Sequence, residues 1–288
     1  MANKTINMNE VLMKVIFVFL VLLFSLNNPE TAQSKDAEPI SSKSESNIHF
    51  SNTNNINITN NLTKNLKKLK TFIKAVKPKS IYLEQWILLE PHNKKLLKKL
   101  SKIAKKNKTS FYLVIGKNTW FGNRGIANTV ASLDLYGKYI DGIVLRVEPN
   151  KVNVWKDDFK VQILNQILDS YAGIHNEAKK RNKQFFVEFP FWFTDFKGPL
   201  RSFSEDACLY SDKVIFLIDN PTKLDSLDIK WNDITCKYNI DLTKRATELS
   251  DDSISDAYKK IQKKLPFYSN FNGFIVDVDS DLLENTIE

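Results

Sequence analysis

The residues with the capacity for chemistry in this sequence are acids and aromatics that follow short apolar runs. Glu84, Gln85 and Trp86 close the run that starts at Ser80, and Asn118 and Trp120 follow the run that starts at Ser110. Glu148 ends the next run. Glu188, Trp192 and Asp195 belong to the one after it. Asp219 and Asn220, Asn239 and Asp241, and Asp277 and Asp279 occupy the same place in the last three. Carboxyl groups in pairs perform acid, base and nucleophile roles in glycoside hydrolysis. Tryptophan faces stack on the apolar faces of sugar rings. Glu148 is the first candidate catalytic carboxylate, with Glu188, Asp219 or Asp241 as its partner. Trp120, Arg146, Trp192 and Glu84 are candidate substrate contacts. The three histidines, His49, His92 and His175, are scattered, and no CxxC motif accompanies them. A metal centre and a Ser/His/Asp site are therefore not expected, and no cofactor motif is present.

The elements that must position these residues alternate between strand and helix periods. Strands are expected at Ser80–Ile87, Ser110–Gly116, Gly142–Glu148, Gln184–Phe193, Lys213–Asp219, Ile234–Leu242 and Gly273–Asp279. A weak first strand falls at His49–Ser51 or Ile56–Ile58. Helices are expected at Leu62–Val76, Asn93–Lys106, Ile126–Tyr139, Phe159–Arg181, Leu200–Tyr210 and Ile254–Leu265, with Asn123-Arg124-Gly125 as a polar loop. Such alternation implies parallel strands joined by right-handed crossovers. Eight units fit a closed α/β (β/α)8 TIM barrel, whose active sites lie at the carboxyl ends of the strands. An open doubly wound sheet would carry a Gly-rich phosphate turn, and none is found.

Ahead of the barrel, Lys4 and Lys14 precede an apolar run from Val15 to Leu23, too short to span a bilayer comfortably, and small residues follow at Thr31–Ser34. Residues 1–34 read as a signal peptide, with an uncleaved anchor as the alternative. Residues 35–60 read as a polar linker in which the first strand falls within 48–58, and residues 61–288 as the barrel domain. The expected location is the periplasm, envelope or exterior. The net charge is +9, much of it lysine at helical spacing, the mark of a solvated helix face. Export and the lack of a binding motif argue against nucleic acid as a partner, and contact with membrane is expected only through the amino-terminal segment. Cys208 and Cys236 form one disulfide after export or remain two buried thiols.

The strand-four stretch Asp141-Gly142-Ile143-Val144-Leu145-Arg146-Val147-Glu148 resembles the DGxDxDxE strand of the chitinase (family 18) superfamily of TIM-barrel glycoside hydrolases. Glu148-Pro149, with Phe189-Pro190-Phe191-Trp192-Phe193 on strand five, is similar to a bacterial branch with strand-four L-D-V-E-P and strand-five P-F-W-F motifs. The resemblance implies a barrel acting on, or binding, polysaccharide or another glycan, with Glu148 as general acid. Val144 and Arg146 stand where the pattern has aspartates. Strand alternation puts 144, 146 and 148 on one face. An arginine beside Glu148 would hold it ionised, contrary to what a general acid requires. Arg146 then either forms a structural ion pair with Glu148 or binds an anionic ligand group, and a catalytically silent barrel that binds glycan or a protein partner is the alternative reading.

Overall fold

The computed structural model describes residues 55–58, 66–89, 93, 95–153, 155–196, 202–218, 234–245 and 270–278. The expected signal peptide, most of the linker, the helix at 254–265, and Asp219, Asn220 and Asp279 lie outside them.

Eight parallel strands close into a barrel in chain order. They are β1 (Asn55–Ile58), β2 (Ser80–Glu84), β3 (Ser110–Ile115), β4 (Gly142–Arg146), β5 (Gln184–Pro190), β6 (Lys213–Ile218), β7 (Tyr238–Arg245) and β8 (Phe271–Val278). Closure runs through β1, whose Asn55 and Asn57 register with Ile275 and Asp277 of β8. The described helices are α1 (Leu66–Val76), α2 (Leu96–Lys106), α3 (Gly122–Tyr136), α4 (Asp157–Lys180) and α5 (Phe203–Leu209).

The helix sequences dictate which face packs inward. In α1, Leu69, Phe72 and Ile73 are buried at three- and four-residue spacing, while Lys67, Lys70 and Lys74 face out. In α2, Leu96, Leu97, Leu100 and Ala104 are buried and Lys98, Lys99, Lys102 and Lys105 are exposed. Lys105 and Lys106 also oppose the negative pole at its carboxyl end. Much of the lysine is thus the outer coat of the barrel.

The strands bury residues on both faces. Outward side chains such as Ile81, Leu113, Leu145 and Phe216 pack with the helices in one large apolar layer. Inward, Tyr82, Tyr112, Val114, Val144, Phe186, Ile215 and Ile275 form a separate cluster that fills the barrel. Asp141 and Asp212 stand just before β4 and β6 and accept the backbone N–H of Phe111 and of Phe185, each at 2.8 Å. The first acid of the strand-four motif is therefore a strand-end clamp. Cys208 and Cys236 are joined in a disulfide, with Cα atoms 5.3 Å apart, which links α5 to the approach to β7.

Several boundaries differ from expectation. β4 ends at Arg146 and β2 at Glu84, because a 3-10 turn follows each at Pro149–Lys151 and Gln85–Leu89. β5 gives way at Phe191 to a similar turn through Asp195. Asn123-Arg124-Gly125 is the first turn of α3 rather than a loop, with Gly125 packed where a Cβ would strike the Trp120 carbonyl. β1, at Asn55–Ile58, does lie in the 48–58 window expected for the weak first strand, at the Ile56–Ile58 alternative.

Candidate functional site

The inward alternation of β2, β4, β5 and β7 includes Glu84, Arg146, Glu188 and Asp241, the first two as the last residues of their strands. The Arg146 guanidinium joins all three acids. Its Nη1 donates to Glu84 Oε1 at 2.5 Å, and its Nη2 donates to Glu188 Oε1 at 2.7 Å and to Asp241 Oδ2 at 3.2 Å. Glu188 is Arg146's direct partner in the sheet register. Glu84 is reached across β3, where the intervening inward residue is the short Val114. Gly116, with φ of 134°, ends β3 against the Arg146 carbonyl, where any Cβ would collide. That contact sets the backbone from which Arg146 projects. On the far side of the ring, Asn57 Nδ2 of β1 donates to Asp277 Oδ1 of β8 at 2.7 Å.

This ring is half open to solvent. Arg146 and Glu84 keep 26% and 18% of their side-chain exposure, and Glu188 and Asp241 keep only 2% and 5%. Burial of the acids is the dominant electrostatic fact. It raises the Glu84 carboxyl from its ordinary 4.5 to about 7, with Glu188 and Asp277 adding to the rise and Arg146 opposing it. Burial also pushes Asp241 well above the usual carboxylate range. Glu188, within hydrogen-bonding reach, reinforces that rise against Arg146. Burial works against the Arg146 charge, but Glu188, Glu84 and Asp241 together outweigh it and hold the cation firmly. Several buried polar atoms around the ring have no hydrogen-bond partner: Arg146 Nε, Asp241 Oδ1, Asn57 Oδ1 and Asn239 Nδ2.

The structure thus gathers four of the residues read from the sequence, Glu84, Arg146, Glu188 and Asp241. Glu148 is not among Arg146's partners. The strand ends two residues before it, the alternation does not carry through, and Glu148 takes φ −115°, ψ 75° as the cap of the following turn. Its carboxylate accepts from Lys151 Nζ at 2.8 Å through Oε1. The expected Arg146–Glu148 pair is replaced by Arg146 with three other acids. Trp120 packs partly buried against the outer apolar layer. Trp192 lies edge-on to Trp155 at 6.0 Å and to Phe193 at 4.5 Å. Trp155 itself stacks on Phe193 at 5.8 Å, as a packing residue of the loop. Trp120 thus packs at the barrel wall, while Trp192, 36% exposed, keeps part of its ring surface open to solvent. Asp219 lies outside the described residues. Sequence reasoning missed Asn57, although its position between Ile56 and Ile58 is the alternation of a strand with one polar inward residue.

Among the described residues no group of three or more His, Cys, Asp or Glu is arranged to hold a metal ion. Nor is any described helix long and apolar enough to cross a membrane.

No protein-family model matches the sequence, and no curated protein matches it. Solved structures with similar folds include orotidine 5'-monophosphate decarboxylase from Methanocaldococcus jannaschii. It is 13% identical, with a TM-score of 0.49 over 82% of this chain and 96% of that one. The GH20 catalytic modules of the pneumococcal exo-beta-D-N-acetylglucosaminidase align at 10% identity, with a TM-score of 0.48 over 83% of this chain and 84% of that one. The C-terminal domain of a putative chitinase from Desulfitobacterium hafniense aligns at 11% identity, with a TM-score of 0.46 over 66% of each. The closed eight-stranded parallel sheet defines the chain as a (β/α)8-barrel protein. Its distinguishing feature is an arginine-bridged carboxylate ring at the carboxyl ends of the strands.

Proposed function

We propose that this protein is an exported barrel of glycoside-hydrolase type that works on a glycan at the carboxyl-end ring. Glu84 is the proton-bearing carboxyl, and Glu188 or Asp241 is the second carboxylate. The observation that carries this reading is the Arg146 bridge between Glu84 and two buried acids, with Glu84 held at about 7 by burial. A carboxyl that titrates near neutral pH is a competent general acid, and glycoside chemistry pairs such an acid with a second carboxyl group across the scissile bond. Export is supported by the signal-like amino terminus and by the Cys208–Cys236 bond, which persists in oxidising compartments.

Arg146 also favours a second reading, a silent barrel that binds glycan without turnover. Its guanidinium is seated on every acid that would do chemistry. The two readings separate when the exported chain is offered a panel of amino-sugar and neutral polysaccharides and new reducing ends are counted. Turnover that disappears in Glu84→Gln and Glu188→Gln supports the enzyme, and binding without turnover supports the silent barrel. Neither binding nor turnover on any glycan would refute both.

A further inference from the structure

The ring's hydrogen bonding is incomplete, with two acceptors, Asp241 Oδ1 and Asn57 Oδ1, and two donors, Arg146 Nε and Asn239 Nδ2, left without partners. Three carboxyl groups share one guanidinium. Asp241, 4% exposed, spends Oδ2 on Arg146 and has no partner at Oδ1. Asn57, 7% exposed, gives its amide protons toward Asp277 and has no partner at its own Oδ1. An amide oxygen only accepts, and so does a carboxyl once it has released its proton. A buried acceptor left without a donor costs roughly 1–3 kcal/mol.

Arg146 Nη1 and Nη2 are already engaged by acids, which leaves Nε as the guanidinium nitrogen without a partner. An anion would also meet the surrounding carboxylates. An ammonium group brings three donors for the partnerless acceptors and one positive charge to replace the protons that Glu84 and Asp241 would release. On the same strand as Asp241, two residues below it, Asn239 Nδ2 is a fully buried donor without a partner and matches a hydroxyl or ether oxygen.

We infer that the ring binds a primary ammonium group, so that the substrate class of the proposed glycan site is an amino sugar carrying a free amine. This rests on the ring being the ligand site. Glu84 and Asp241 fit this role, because burial makes both retain protons that an arriving ammonium can displace. The groups facing them are Tyr82, Arg146, Glu188 and Asp277, so the displaced protons leave a ring whose only described cation is Arg146.

Isothermal calorimetry on the full chain tests this with four probes. They are a β-1,4-linked glucosamine tetramer, its fully N-acetylated form, a galacturonate tetramer and spermidine. The free-amine tetramer should bind about tenfold or more tighter than the acetylated one, with heats at pH 7 that vary with buffer through proton release. Galacturonate should not compete. Asp241→Asn and Glu84→Gln, each checked for an intact thermal transition, should reduce the preference to about threefold or less. Acetylated tetramer binding as well as the free amine would overturn the inference while leaving the glycan reading standing. Spermidine binding with no tetramer binding would uphold the ammonium site and overturn the glycan reading. No binding by any probe would overturn both. An undiminished preference in both folded variants would show that the ring is not its source.

Discussion

The two ends of the barrel interior are built on opposite principles. Toward the amino ends of the strands, Tyr82 stacks on Tyr112 at 5.3 Å and Tyr112 tilts onto Phe186 at 4.6 Å. Tyr112 donates its hydroxyl proton to Gln184 Oε1 at 2.5 Å, and Lys213 Nζ lies 4.7 Å from the centre of the Phe186 ring. Two residues further along β2, β4 and β5 come Glu84, Arg146 and Glu188. There the side chains are charged and several buried polar atoms lack partners. The aromatic floor supplies stability by burial and stacking, about 1 kcal/mol per ring pair beyond area. The ring above it concentrates charged side chains and partnerless polar atoms, and the floor carries one such atom, the Tyr82 hydroxyl. Position along the same strands therefore separates an aromatic floor from a charged ring, which is the ligand site of the proposed function.

The comparison is broken most forcefully by removing one member from each end. Arg146→Met leaves three acids without their cation and should cost about 3–5 kcal/mol at pH 8. At pH 5 the loss should shrink, because Glu84 and Asp241 then carry protons. Phe186→Ala should cost a similar ~3–5 kcal/mol by leaving a cavity, with no shrinkage at pH 5, where Lys213 above the ring is charged. Thermal melts of both variants at the two pH values decide this; matching pH profiles would erase the distinction between ring and floor.

A smaller effect comes from pH alone. The Glu84 pKa in the folded chain, about 7, lies above its ordinary 4.5. The folded state therefore holds a proton that the unfolded chain releases. The resulting stability is complete below 4.5 and is lost as pH rises through about 7. Asp241 acts in the same direction. Denaturant unfolding should show stability falling between pH 5 and 8, with Glu84 contributing at most about 3 kcal/mol, and Glu84→Gln should flatten the curve. A curve that rises with pH over this range would contradict the burial of the ring acids.

The floor offers the reverse case. Burial lowers Lys213 from 10.5 to about 8, with Lys237 and Lys79 adding to the fall. Charging it in the folded state is therefore costly below about 8. Lys213→Met should stabilise the protein by roughly 1–2 kcal/mol at pH 7, visible as a higher thermal midpoint. The smallest effect is expected at Glu148, whose partner Lys151 is exposed; Glu148→Gln should change stability by less than about 1 kcal/mol.

The barrel was legible because each strand is a short apolar or aromatic run and each described long helix shows a spaced apolar face. β1 was the ambiguous strand. Its inward residues are Asn55 and Asn57, so two of its four positions look like the polar linker before it. The members of the ring were legible one at a time as polar residues at strand ends. Their grouping was not, since Arg146 meets Glu188, Glu84 and Asp241 across 42, 62 and 95 residues of sequence. Adjacency of that kind comes from closure of the sheet. Alternation extended to Glu148 failed for a local reason, the turn that begins at Pro149. The Trp155–Trp192–Phe193 packing likewise depends on a loop and a 3-10 turn whose approach leaves no periodic trace.

Under the proposed function, ligand chemistry belongs to the Arg146 ring and not to Glu148. The most direct test of this assignment is one assay of glycan turnover, or of glycan binding where turnover is nil, on Glu188→Gln and Glu148→Gln side by side, each with a checked thermal transition. The account predicts a loss of about a hundredfold or more in turnover, or about tenfold in affinity, for Glu188→Gln, and values near wild type for Glu148→Gln. Loss in Glu148→Gln with Glu188→Gln unaffected would contradict it.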